Sequence, residues 1–231
     1  MSKIHKKTCL ILRINDYKDN KSIIKALSKN EGLINFSASG FKKYSSRLHG
    51  KIQKLTLIDG IFYESANTHL KLSSIESHST ISPITSLQEF QSQQKLCFIA
   101  EKINDSLTSN LIIEILEQAK QLEIHKTLHI YLIKILQEQT LIEIDSKIHK
   151  ANYFYLDSNG VINNNQGIQK ISLNTLKTIQ YIKNNPIKTC LKLVINTQIQ
   201  NEIEDYFKNI LEIKLNVLID FRNFNNVFDT I

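Results

Sequence analysis

The stretch GLINFSASGFKKYSSRLHGKIQKLTLIDGIFYES, residues 32–65, carries glycines at 32, 40, 50 and 60. Between them lie short runs rich in Ile, Leu, Phe and Thr: GLINFSAS (32–39), KIQKLTLID (51–59) and GIFYES (60–65). Outward on either side, TCLILRI (8–14) and HLKLSSIES (69–77) have the same character. Ile52, Leu55 and Leu57, then Leu70, Leu72 and Ile75, alternate with a slip, as half-buried strands do. KSIIKALSKN (21–30) suits a helix as readily as a strand, because Ile24, Ala26 and Leu27 fit either period. Short strands punctuated by glycine at this interval predict a small β-barrel.

The same stretch is basic. From Gly32 to Ile58 there is no acid, and Lys42, Lys43, Arg47, Lys51 and Lys54 fall inside that window. Lysine alone says little here: Ile, Lys and Asn make up 85 of the 231 residues, a usage that points to an A/T-rich genome. Distribution says more. Residues 1–80 hold 14 Lys and Arg against 6 acids, whereas residues 81–231 hold 15 against 16, so the net charge of +7 comes from the first third. Codon usage does not place an excess there; a phosphate-binding module does. Phe36, Phe41 and Tyr44 interleave with the cations, the combination with which small barrels hold single strands: cations along the backbone, rings under the bases. Phe36 alternates within its strand and reads as core, leaving Phe41 and Tyr44 as stacking candidates beside the five cations.

After Pro83 the pattern becomes helical. SLQEFQSQQKLCFIAEKINDSL (86–107) has Leu87, Phe90, Cys97, Phe98 and Ile103 near helical spacing, with Ser86 as N-cap. SNLIIEILEQAKQLE (109–123), IHKTLHIYLIKILQEQ (124–139), SLNTLKTIQYIKNN (172–185) and TQIQNEIEDYFKNILEIKL (197–215) read as further helices. Residues 151–168 read as a β-hairpin or loop, with turn signals at Ser158-Asn159-Gly160. The expected fold class is therefore α+β: a barrel over residues 1–80, then a helical domain over 81–231 with a short hairpin insertion.

Catalytic patterns are absent from the sequence. His125 and His129 have ligand spacing, but Lys126 stands where a zinc-protease helix needs glutamate, and no third ligand is near. Gly50-Lys51 is followed by Ile52 and lacks the earlier glycine of a phosphate-binding loop. Dinucleotide-binding and hydrolase-elbow glycine patterns do not occur. Cys9, Cys97 and Cys190 are widely spaced and odd in number, which fits a reducing cytoplasm rather than a disulfide framework. No apolar run approaches membrane-spanning length, and the opening MSKIHKKTCLILRIND is a poor signal peptide. A non-enzymatic protein without metal or cofactor is expected.

Read in order, LRINDYKDNKSIIKALSKNEGLINFSASGFKKYSSRLHGKIQ resembles the N-terminal domain of the RecO-type DNA recombination and repair proteins. The resemblance rests on Leu12 and Tyr17, then Asp19 before Ile23-Ile24, then Leu27-Ser28 before Gly32. It ends in the Gly-led basic loop with Gly40, Lys42, Lys43, Ser46 and Arg47, and spans about residues 8–76. Ser39 replaces a basic residue common in that family, and Lys54-Leu55 replaces Pro-Phe. The four-cysteine zinc site of many members has no counterpart, since no cysteine lies between Cys97 and Cys190.

The resemblance implies an oligonucleotide-binding (OB) barrel and a helical domain. It implies a recombination mediator, cytoplasmic and nucleoid-associated, that binds single- and double-stranded DNA and anneals complementary strands. With a RecR-type partner it would help load RecA recombinase onto strands coated by single-strand-binding protein, whose acidic C-terminal tail the helical domain of the family recognises. The same cations also suit an RNA- or ribosome-associated barrel, or an adaptor that meets an acidic protein tail.

Overall fold

The computed structural model describes residues 3–18, 20–64, 69–80, 85–103, 105–118, 123–146 and 151–219. Asp19 and residues 81–84, including Pro83, which figure in the sequence reading, lie outside them. The chain divides into two compact units, residues 1–123 and 124–231.

In the first unit, β1 (Lys3–Lys18), β2 (Lys21–Ser28), β3 (Gly32–Ser39), β4 (Thr56–Glu64) and β5 (Leu70–Thr80) close into a barrel in the order β1-β2-β3-β5-β4. Every neighbouring pair is antiparallel except β3 with β5, which is parallel. A five-stranded closed barrel with this crossover is the OB-fold. The ambiguous KSIIKALS segment is a strand because both its neighbours are strands. Ile24 and Ala26 face the barrel core and pair with Phe36 and Ile34 of β3.

Cys9, Ile11, Ile24, Phe36, Ile58, Phe62 and Leu72 fill the barrel. The Phe36 and Phe62 rings meet edge to face at 5.0 Å and 75°, the orientation the ring quadrupole favours. The apolar run Cys9–Leu12 does not alternate, since Leu10 and Leu12 on the outer face are as buried as Cys9 and Ile11 inside. Their cover is helical. Helices α1 (Leu87–Lys102) and α2 (Ser106–Gln118) pack on β1, β2 and β3. Glu101 of α1 lies 3.2 Å from Arg13 and 3.4 Å from Lys25. Thus the change from strand to helix near residue 80 and the division between compact units after Glu123 are different boundaries. Ser86 caps α1 by accepting from the Glu89 amide at 3.1 Å.

Two of the expected strands, 51–59 and 60–65, are one. β4 runs unbroken through Gly60, and residues 51–55 belong to the preceding loop. Gly60 marks a bulge, not a turn. A Cβ there would lie 2.8 Å from the Phe62 ring and 2.9 Å from Leu72 Cδ1, so glycine is required by the packing of the barrel interior.

In the second unit, α3 (Ile124–Glu138) is buried around most of its circumference. It packs against α4 (Leu173–Asn184) and α6 (Thr197–Leu215); α5 (Ile187–Cys190) is a single turn beside α4. The expected hairpin is larger than an insertion. β7 (Tyr153–Leu156) and β8 (Val161–Asn163) form it, flanked by β6 (Glu143–Ile144) and β9 (Gln169–Ser172) in a sheet of order β6-β8-β7-β9. Asp157 fastens its turn: one carboxylate oxygen accepts from the amides of Asn159 and Val161 at 2.9 Å, the other from Asn163 Nδ2 at 3.0 Å. No helix among the described residues is long and apolar enough to cross a membrane.

Gly60→Ala overpacks the Phe62 and Leu72 contacts and is expected to lower stability by about 1–3 kcal/mol, read by chemical denaturation. A stability equal to wild type would show that the barrel interior yields there without strain.

Candidate nucleic-acid interface

Residues 40–55 connect β3 to β4 and contain all five predicted cations. The loop starts at Gly40 (φ +74°), whose amide donates to Asn20 O at 2.8 Å, and passes Gly50 (φ +72°). Neither glycine is crowded; the left-handed backbone selects it. Between them the chain folds into successive tight turns. Lys43 N donates to Gly40 O, Ser46 N to Lys43 O and His49 N to Ser46 O, all within 3.0 Å. The loop rejoins the sheet where Leu55 N donates to Ile11 O at 2.8 Å.

Three apolar side chains anchor this loop. Phe41, Leu48 and Ile52 are buried and belong to the barrel's core cluster. Phe41, read from sequence as a stacking ring, is only 7% exposed; it packs in the core and offers no face to a base. Tyr44 differs: it is 92% exposed, with its ring centroid 5.1 Å from that of His49. The sequence shows two aromatics three residues apart between lysines. The turn at Gly40 sends one inward and the other out.

Lys42, Lys43, Arg47 and Lys54 are exposed and Lys51 is half-buried. They are not equivalent. Lys42 Nζ lies 2.6 Å from Asp16 Oδ2, and Lys54 donates to Gln94 Oε1 of α1 at 2.9 Å. Lys43 and Arg47 have no carboxylate partner among the described residues. The window that is acid-free in sequence is therefore not acid-free in space. The β1–β2 hairpin carries Asp16, 26 positions before Lys42, to the loop's edge. The hydrogen bond from Lys42, then that from Ser22 at 3.0 Å, holds the Asp16 carboxyl below its usual range.

The hairpin also brings in Lys21, a cation the sequence reading did not single out. It is exposed and pairs in register with Ser39, immediately before Gly40. Its signal was available only through strand pairing. Four other barrel cations are engaged: Lys6 with Glu76 at 2.9 Å, Lys7 with Glu31, and Arg13 and Lys25 with Glu101. The candidate interface is thus the 40–55 loop with Lys21 at its root, where Lys43 and Arg47 are exposed loop cations without a carboxylate partner among the described residues.

No group of three or more His, Cys, Asp or Glu among the described residues is placed to hold a metal ion. His129 is buried, with Nε2 3.4 Å from Glu204 Oε1. Burial pushes the Cys9 and Cys97 thiols up to about 12, far from the thiolate that nucleophilic chemistry needs.

Residues 1–84 match the family described as "Recombination protein O N terminal". No curated protein matches the chain. The matched region takes in every strand of the barrel and the whole basic loop. Residues 1–84 are therefore similar to the recombination protein O N-terminal family, a match that supports a RecO-type protein with a role in DNA recombination and repair.

Proposed function

We propose that the chain is a non-enzymatic recombination mediator that binds single- and double-stranded DNA through the 40–55 loop and anneals complementary strands. In this reading it works with a RecR-type partner to load RecA recombinase onto strands covered by single-strand-binding protein, whose acidic tail it recognises. Its place is the cytoplasm, with the nucleoid. The observation that supports it most is the pair Lys43 and Arg47: exposed, uncompensated, and set on an anchored loop of an OB barrel in a family of recombination proteins.

The chemistry follows from counterion release. Each cation that neutralises a phosphate contributes about 0.7 to the slope of log affinity against log salt on single strands. Lys43→Ala with Arg47→Ala is expected to lower that slope by roughly 1.4. Asp16→Asn is expected to do the reverse, since Lys42 loses its internal partner and becomes available to phosphate. Tyr44→Ala should cost about 1–3 kcal/mol of single-strand binding with little change in slope, the signature of a stacked base. A salt titration on single strands, followed by a strand-annealing assay, reads all three variants. Equal slopes for the wild type and the folded double variant would make the loop a solvated surface. Stronger action on structured RNA than on DNA would move the protein to RNA.

The Lys42–Asp16 pair also fixes a pH dependence. Because the folded carboxyl titrates below its unfolded value of about 4, the pair is present above that value and is lost only as pH falls through the lowered one. Binding measured from about pH 5 to pH 8 is therefore expected to show no step from Asp16. Such a step, abolished by Asp16→Asn, would contradict the assignment.

A further inference from the structure

One row of outward-facing side chains runs around the barrel and passes two residues from the root of the loop. Phe62 and Leu72 point into the core, so their neighbours Tyr63 and Lys71 point out, and the two are partners in the β4–β5 register. Lys71 in turn pairs with Ser37 of β3, and Tyr63 with Ile4 of β1. Ser37 lies two positions before Ser39, the partner of Lys21. Tyr63 is 40% and Ile4 63% exposed. Lys71 is exposed and has no carboxylate partner among the described residues. The nearest acid in register, Glu64, is taken by His5 at 3.1 Å.

A single exposed tyrosine on a sheet needs no explanation. This one has an uncompensated lysine beside it on one strand and an exposed isoleucine beside it on the other, and the row reaches β3 at Ser37, three positions before the loop begins. We infer that Tyr63 and Lys71 form a second contact for single-stranded nucleic acid, with the Tyr63 ring under a base and Lys71 on the adjoining phosphate. The inference rests on the nucleic-acid reading of the loop and extends it across the β4–β5 wall.

Geometry chooses the occupant. At about 4.8 Å between strands, the row covers roughly 15 Å from β2 to β4, within the span of one OB-fold site. A duplex keeps its base faces stacked on one another, so only an unpaired strand offers a face to Tyr63. An acidic peptide would meet Lys71 but would leave the ring and Ile4 without a partner of matching chemistry.

The test uses the full chain with an oligo-dT strand and, separately, a blunt duplex. Tyr63→Ala is expected to weaken oligo-dT binding about 5- to 100-fold at constant salt slope, with duplex binding unchanged. Tyr63→Phe, which keeps the ring, should bind as wild type and serves as the folding control. Lys71→Ala should lower the slope by about 0.7. A strand carrying 5-iodouracil should photocrosslink to Tyr63, located by mass spectrometry. If Lys43→Ala with Arg47→Ala weakens binding while Tyr63→Ala and Lys71→Ala do not, this second contact is wrong and the loop reading stands. If none of these variants changes binding, both fall together. Equal loss on oligo-dT and duplex would also overturn the stacking assignment.

Discussion

The barrel is closed by two residue pairs. Among the described residues, Phe36 with Leu70 and Ser37 with Lys71 make up the parallel junction of β3 and β5, while the antiparallel seams are far longer. Two pairs of backbone contacts do not hold a barrel shut by themselves; apolar packing behind them does. Phe36 sits at that junction, wholly buried against Phe62. Large-to-small changes at rings of this kind cost about 3–5 kcal/mol, which is comparable with the whole stability of many domains. The seam depends on the core, and everything carried by β3 depends on the seam, including the start of the basic loop.

That dependence explains why the loop can be long yet ordered. Sixteen residues without strand or helix would ordinarily be a mobile connection. Here Phe41, Leu48 and Ile52 return to the core at intervals, and the polar residues between them are left outside. The arrangement separates two duties along one segment, since apolar positions maintain the barrel and the cations remain available to solvent. Asp16 adds a third, compensating Lys42 at the edge of the loop.

Much of this was legible in the sequence. Gly32–Ser39 reads as a strand and is one, because its alternation is clean and both ends are marked by glycine. Ser86 and the helical periods of 124–139 and 197–215 were equally plain. What the sequence hid was non-local. Gly60 looks like a turn until Phe62 is seen to occupy the space over its α-carbon. Phe41 and Tyr44 look alike until one turn sends them to opposite sides. The two-residue β6 and four-residue β9 are too short to show a period, so only a hairpin could be read where four strands pair. Asp16 could be placed beside Lys42 only by pairing β1 with β2 in the correct register.

The anchored loop has a consequence for handling the protein. Lys42, Lys43, Arg47, Lys51 and Lys54 are five peptide positions after which trypsin cuts, crowded into one surface connection. A protease needs several residues in extended form, and this segment is wound into tight turns held by three core side chains. Cleavage then requires the loop to unwind locally, which withdraws Phe41, Leu48 or Ile52 from the core. The region richest in cleavage sites is thereby protected by the same three side chains that anchor it to the core.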